Sequence, residues 1–313
     1  MSSRRLRPTV SGSLASGNTR KLPRHERGGF PLCLQDFGAT RDAARQGRAR
    51  EDRECPECRS PYLRGMAPFG VPQSVAAVAA AGSVLDAGCG SARLTLALAE
   101  AGAADVVGID TSLERLTQGR ARLSAHPMGA HVKLIEADFD RVLPFSDERF
   151  SAAVSRLALM IAADPVATLR ELRRVTAAAG RIVTALWAPV DENPWFALPR
   201  SAAAAVVGRD RADYARAFGR LGSPEEATEV HRAAGLAGVQ VETLRQTLDV
   251  QDAAALWVWM AGENGHVRRL DATLSVSERT AVLDELDRLV AGHRTHRGSL
   301  ALPRAMTLVT ATG

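Results

Sequence analysis

The 313-residue sequence predicts an α/β fold, a doubly wound, mostly parallel, seven-stranded sheet with helical lid insertions. Three observations carry that expectation. From about Leu63, short apolar runs alternate with helical patterns, which specifies a parallel sheet covered by helices on both faces. The first strand runs straight into a glycine turn, Val84–Ala92, VLDAGCGSA. Acidic residues then recur at the tips of the next two strands, where an open sheet of this kind binds its ligands.

The elements follow in order. Val75–Ala81 reads as a short Ala-rich helix leading into a strand at Val84 and Leu85. Gly88 and Gly90 permit backbone torsions closed to other residues and a close approach of ligand to main chain. The helix they open, roughly Ala92–Ala101, would turn its unpaired N–H groups and positive dipole end toward that ligand. Ala104–Ile109 is an apolar strand, and Leu113–Leu123 a helix with Ser112 as N-cap. Val132–Glu136 and Phe150–Ser155 are the third and fourth strands. Asp164 before Pro165 fits an N-cap, with a helix over Val166–Ala178 stopped by Gly180. Arg181–Leu186 is a fifth strand, Asn193–Arg220 an irregular helical insert, and Ser223 caps a helix to about Leu236. Val239–Arg245 and Ala305–Ala311 are a late antiparallel pair of strands, separated by helices at Ala253–Ala261 and Ser277–Ala291.

The turn discriminates among nucleotide sites. A dinucleotide fingerprint needs G-x-G-x-x-G, but Arg93 occupies the third glycine position. No G-K-S/T follows, so a phosphate-cradling P-loop is absent. Asp110, followed by Thr111, ends the second strand 24 residues after Asp86, where a carboxylate can accept both hydroxyls of a ribose. The third strand ends in EADFD, so Asp138 could accept from an adenine amino group, with Ala137 and Phe139 framing the ring. The fourth ends in SRLALM, bringing Ser155 to the same edge. Taken singly, Asp110 reads equally as a turn residue, Asp138 as a solvated acid and Cys89 as a small apolar filler. Their recurrence at the ends of successive strands favours a shared binding site.

VLDAGCG resembles motif I of the class I S-adenosylmethionine-dependent methyltransferases. LPFSDERFSAAVSRLALMIAADPVATLRELRRV and GRIVTALWAPVDENPWF are similar to the small-molecule group related to the ubiquinone/menaquinone biosynthesis enzymes. The resemblance implies a Rossmann-like methyltransferase sheet with S-adenosylmethionine as cofactor. Asp86, Gly88 and Gly90 would form motif I near the methionine end, Asp110 would be the ribose acid and Asp138 the adenine-side acid. It implies transfer to an O or C centre of a small molecule, quinone-like or a secondary metabolite. The sequence departs from the family at two points. Ala92 replaces a third glycine, adding a methyl group close to the cofactor, and Ala178-Ala179-Gly180 replaces a Pro-Gly-Gly turn. An rRNA or tRNA methyltransferase using a basic arm, or a non-catalytic S-adenosylmethionine-binding regulator, are the alternatives.

Composition bounds the rest. Residues 1–65 carry 14 Lys+Arg against 7 Asp+Glu, and the remainder 26 against 28. The basic charge therefore belongs to an Arg-, Ser- and Gly-rich extension expected to be disordered. The methyltransferase domain is expected over residues 66–313, with helical insertions at about 190–222 and 250–300. A near-neutral domain argues against a nucleic-acid partner, and the small-molecule acceptor is what the resemblance implies. No apolar run is long enough to span a bilayer, and no secretory signal is evident, so the cytoplasm is the expected location. Cys55-Pro56-Glu57-Cys58 has the spacing of half a zinc knuckle; Cys33 and His25 could complete a set of four ligands but lack the spacing of a second knuckle, so no metal is expected, with zinc at Cys55 and Cys58 the lesser alternative. A general base is needed only if the acceptor must lose a proton. None is assigned, with His266 the weak candidate and the other histidines read mostly as surface residues. Trp195, Phe196, Trp257 and Trp259, with Tyr214 and Phe218, are the aromatic candidates for an acceptor pocket. Trp257 and Trp259 are two residues apart on a helix and must face different directions.

Overall fold

The computed structural model describes residues 78–80, 82–208 and 218–313. Its first half alternates strand and helix. β1 (Ser83–Ala87) leads to α1 (Arg93–Glu100), β2 (Asp105–Asp110) to α2 (Leu113–Ser124), and β3 (Val132–Glu136) to β4 (Phe150–Arg156). There follow α3 (Pro165–Val175), β5 (Thr176–Trp187), α4 (Pro194–Val207), α5 (Pro224–Ala233) and β6 (Ala237–Val250). Three helices, α6 (Ala253–Glu263), α7 (Gly265–Thr273) and α8 (Val276–Leu289), precede β7 (Leu300–Thr312). The seven strands form one sheet in the order β3-β2-β1-β4-β5-β7-β6. β6 and β7 pair antiparallel, but only β7 is inverted, since it also runs antiparallel to β5.

The strand alternation divides the core. Leu85, Ile109, Ala153 and Ile182 face Leu169 and Leu172 of α3 and Ala227 of α5. Their neighbours Val84, Val106, Ala152 and Val183 face Leu98 and Ala99 of α1. A third core forms where Leu248, Leu300 and Leu302 extend beyond the other strands and meet Trp257, Val282 and Leu286 of α6 and α8. This helical layer uses the long β6–β7 pair as its floor, which is why both strands exceed the lengths expected from their apolar centres.

Local chemistry sets the boundaries. Ser112, Asp164 and Ser223 cap α2, α3 and α5 by accepting from the N–H groups of Arg115, Ala167 and Glu226. The helix expected to reach Ala178 ends instead at Val175. Thr176 is already extended, and its hydroxyl donates to the Leu172 carbonyl at 2.7 Å, consuming an end-of-helix acceptor. Gly180 is therefore not a helix stop. It lies in β5 beside a register shift against β4, where an added Cβ would sit 2.7 Å from the Ser151 carbonyl oxygen. α7 has no expected counterpart. Asn264 nucleates it by accepting from both His266 N and Val267 N, a cap hidden in an otherwise polar stretch.

His231, one of a group of histidines read mostly as surface residues, is fully buried. Its Nδ1 donates to the Ala227 carbonyl at 2.6 Å, which leaves Nε2 to accept from the Thr184 hydroxyl at 2.9 Å. The ring thus bolts α5 to β5 in its neutral form, and burial holds its pKa below the ordinary 6.5. Above pH 6.5 the ring is neutral folded and unfolded alike. As pH falls below 6.5 the unfolded chain takes up a proton that the folded chain refuses. Stability should then fall by up to about 1.4 kcal/mol per pH unit from this group. Urea midpoints measured from pH 7.5 to 5 should fall more steeply for the wild type than for His231→Gln.

Candidate cofactor and acceptor site

The glycine turn is held by β2. Gly88 N and Cys89 N both donate to the Ile109 carbonyl at 2.9 Å. The carboxylate of Asp110, at the tip of β2, accepts from Gly90 N at 2.8 Å and from Ser112 N at 2.9 Å. One buried acid thereby joins the turn after β1 to the start of α2. Thr111 beside it is exposed. Three residues of the turn are left-handed: Gly88 at φ 78°, Gly90 at φ 55° and Ala92 at φ 60°. At Gly88 the close approach is made by the protein itself, since an added Cβ would lie 2.2 Å from the Cβ of Ala158. At Gly90 a Cβ would meet only the Arg115 side chain, at 3.6 Å. The Ala92 methyl, expected beside the cofactor, is instead buried and packs toward Gly119 of α2. Cys89 is a filler against Gly108, and burial pushes its thiol pKa up, away from any nucleophilic role.

Asp86 is 1% exposed and accepts a 2.7 Å hydrogen bond from the Thr95 hydroxyl of α1. Burial pushes its pKa up to about 6, against the pull of Thr95 and of the Arg156 guanidinium. Arg156 escaped the sequence reading, which chose its neighbour Ser155. The register explains the difference. Asp86 aligns with Val154, so Arg156, two residues on, shares the face of Asp86 while Ser155 is buried on the opposite face.

The third strand delivers its residues unequally. Phe139 is buried, and its ring edge lies 3.6 Å from where a Gly88 Cβ would be, so it does border the glycine turn. Ala137 packs against the same core. Asp138 is half-exposed, accepts from Asp140 N at 2.9 Å and pairs with Arg141 at 3.3 Å. Asp140, passed over in the sequence, has the structural task of accepting from the Thr168 hydroxyl and Ala163 N.

Aromatic side chains gather at the carboxyl end of β5. Trp187, the last residue of that strand, stacks on Phe218 at 5.6 Å, and Phe218 stacks on Phe196 at 3.8 Å. Trp195 meets Trp187 at 5.1 Å and Trp259 at 5.2 Å. Asn193 anchors the group. Its amide donates to the carbonyls of Ala188 and Ala305 and accepts from Ala305 N and the Trp195 indole. Trp187 was missed because it closes a strand and reads as sheet core. Trp257 is corrected to a structural residue: it is fully buried in the helical layer, its indole donating to Asp271 at 2.7 Å. His266, the weak base candidate, is exposed on α7, and its Nδ1 accepts from Arg269 at 3.0 Å. Tyr214, His25, Cys33, Cys55 and Cys58 lie outside the described residues. Among the described residues no cluster of three or more His, Cys, Asp or Glu could hold a metal ion. No helix among them is long and apolar enough to cross a membrane.

Residues 85–184 match the methyltransferase domain family. An uncharacterized protein of Mycobacterium tuberculosis (strain H37Rv) is 33% identical over 123 residues, 39% of this chain and 43% of that protein. Demethylmenaquinone methyltransferase of Mycobacterium sp. (strain KMS) is 39% identical over 100 residues, 32% of this chain and 39% of that enzyme. The chain thus spans about two fifths of the length of these curated relatives. Among solved structures, a putative methyltransferase from Bacillus halodurans superposes with a TM-score of 0.52 over 76% of this chain and 96% of that one, at 16% identity. That likeness is one of fold.

The two glycines of the turn should respond differently to a methyl group. Gly88→Ala combines left-handed strain with overlap against Ala158 and should cost more than about 2 kcal/mol. Gly90→Ala meets no backbone and should cost about 1 kcal/mol, the strain alone. Denaturant titration of the two variants beside the wild type measures both.

Proposed function

For a chain whose residues 85–184 form a S-adenosylmethionine-dependent methyltransferase domain, we propose methyl transfer to an O or C centre of a small, ring-bearing acceptor. The observation that carries this reading is the Asp110 clamp. A buried carboxylate at the tip of β2 fixes the glycine turn at the carboxyl end of a sheet ordered 3-2-1-4-5-7-6. That edge is where doubly wound sheets take their ligands.

The donor set fits the cofactor. Asp110 spends one lone pair of each oxygen on backbone N–H groups, leaving others to accept from a ribose diol. Phe139 presents an apolar surface beside Gly88 for an adenine ring, with the Asp138 carboxylate near it in sequence to accept from an exocyclic amine. A buried Asp86, raised toward neutrality, gains most from a cationic partner such as an amino-acid ammonium. Bound S-adenosylmethionine supplies an electrophilic methyl group on a sulfonium. The chain's share of the chemistry is to hold acceptor and cofactor in line and to keep water out. Proximity and orientation can supply roughly 7–11 kcal/mol. Trp187, Trp195, Phe196 and Phe218 form an apolar wall at the end of β5, suited to a planar ring. The relative named as a demethylmenaquinone methyltransferase supports a small organic acceptor. No side chain at this edge is assigned as general base.

Calorimetric titration tests the reading directly. The full chain should bind S-adenosylmethionine and S-adenosylhomocysteine with micromolar affinity, and Asp110→Ala should weaken both by about tenfold or more. A folded wild type that binds neither would sink the assignment. If Asp86 holds the ammonium as a carboxylate, affinity should rise as pH increases through about 6, where the group ionises. The same titration with Asp86→Asn should lose that pH dependence.

A further inference from the structure

Thr95 sits in the first turn of α1, fully buried, and its hydroxyl donates to Oδ2 of Asp86 at 2.7 Å. The direction of that bond sets it apart. Thr117 of α2, Thr228 of α5 and Thr280 of α8 each donate to the carbonyl four residues back in their own helix. That is a common fate for a helical threonine hydroxyl. The equivalent carbonyl for Thr95 belongs to Ser91, and it accepts instead from Arg122 Nε at 3.1 Å. The N-cap of α1, Ala92, makes no side-chain bond, so the Thr95 hydroxyl supplies the side-chain tie between the first turn of α1 and β1.

The bond divides the carboxylate. Oδ2 is held by Thr95, and among the described residues Oδ1 has no hydrogen-bond partner. Oδ1 is not sealed either, because the side-chain polar atoms that are both closed off from solvent and without a partner lie elsewhere among the described residues. A deeply buried acid thus keeps one oxygen for a donor that comes from outside. For packing alone, valine at position 95 would serve better, having the same shape and no hydroxyl to desolvate. The groups acting on Asp86 come from every side. Thr95 of α1 and Arg156 of β4 favour its charged form, while burial and Asp110 of β2 oppose it. Cys89 in the adjoining turn stays a neutral thiol, its pKa pushed up by burial and by the same two acids.

Resting on the methyl-transfer reading above, we propose that Thr95 is a positioning residue for the cofactor: its hydroxyl holds Oδ2 of Asp86 and so presents Oδ1 to the ammonium group of S-adenosylmethionine. Thr95 acts only through Asp86. A hydrogen bond to a carboxylate favours its ionised form, so the same hydroxyl also keeps the acid charged for its partner. Without it, Asp86 should ionise at higher pH.

The test is calorimetric titration of the full chain with S-adenosylhomocysteine from about pH 5.5 to 8, comparing wild type with Thr95→Val. The variant keeps the shape and loses the donor. The midpoint of its affinity profile should move up by about one pH unit, the loss being about fivefold near pH 6 and closing toward pH 8. Thr95→Ser and Thr95→Ala repeat the comparison should valine not pack. Both lose the methyl group and differ in the hydroxyl, so serine should follow the wild-type profile and alanine the shifted one. A loss that is uniform across pH would make Thr95 structural only and overturn the proposal, as would unchanged affinity or a serine variant that behaves like alanine. A wild-type affinity that does not vary with pH would show that Asp86 does not hold the ammonium, overturning the proposal while leaving the cofactor site in place. A wild type that does not bind S-adenosylhomocysteine at all removes the methyl-transfer reading itself, a separate and earlier failure.

Discussion

The carboxylate of Asp110 is the fixed point of the carboxyl edge. By accepting from Gly90 N and Ser112 N it joins the turn after β1 to the cap of α2. The Ile109 carbonyl next to it takes two more N–H groups of the same turn. The left-handed residues of the loop are held in place by these four bonds, since each costs conformational energy that must be offset locally. With the turn fixed, α1 starts in a set direction, which brings Thr95 to Asp86 and so determines where the buried acid points. Phe139 and Ala158 then pack on the outer surface of the turn. Removing the clamp would free the turn after β1 from the start of α2.

The second constraint is the burial of charge. Asp86 and Arg156 occupy one sheet face, where charges are poorly solvated. Neutral polar groups are buried on the same terms. His231 and Asn193 are as deeply buried, and each is engaged by hydrogen bonds that tie neighbouring elements together.

Much of this was legible in the sequence because it rests on local rules. The glycine turn, the Ser112, Asp164 and Ser223 caps and the strand Val132–Glu136 follow from nearest neighbours and periodicity. The misses have long-range causes. Arg156 was overlooked in favour of Ser155 because choosing between adjacent residues requires the β1–β4 register. The end of α3 was placed at Ala178, before Gly180, because the pairing of Thr176 with Phe150 is invisible along the chain. Trp257 and Trp187 exchanged roles for a similar reason. One lies against Asp271 on a helix that gave no clear signal, and the other closes a strand whose neighbour arrives more than a hundred residues later.

The contact between Gly88 and Ala158 carries a mechanical implication. The turn after β1 and the segment after β4 share one van der Waals surface, with no gap to absorb movement. Neither can be displaced alone. A shift of one is therefore a shift of the other, and the coupling runs in both directions. Positions 88 and 158 behave as a single steric unit, in which enlarging one side chain obliges the other to shrink.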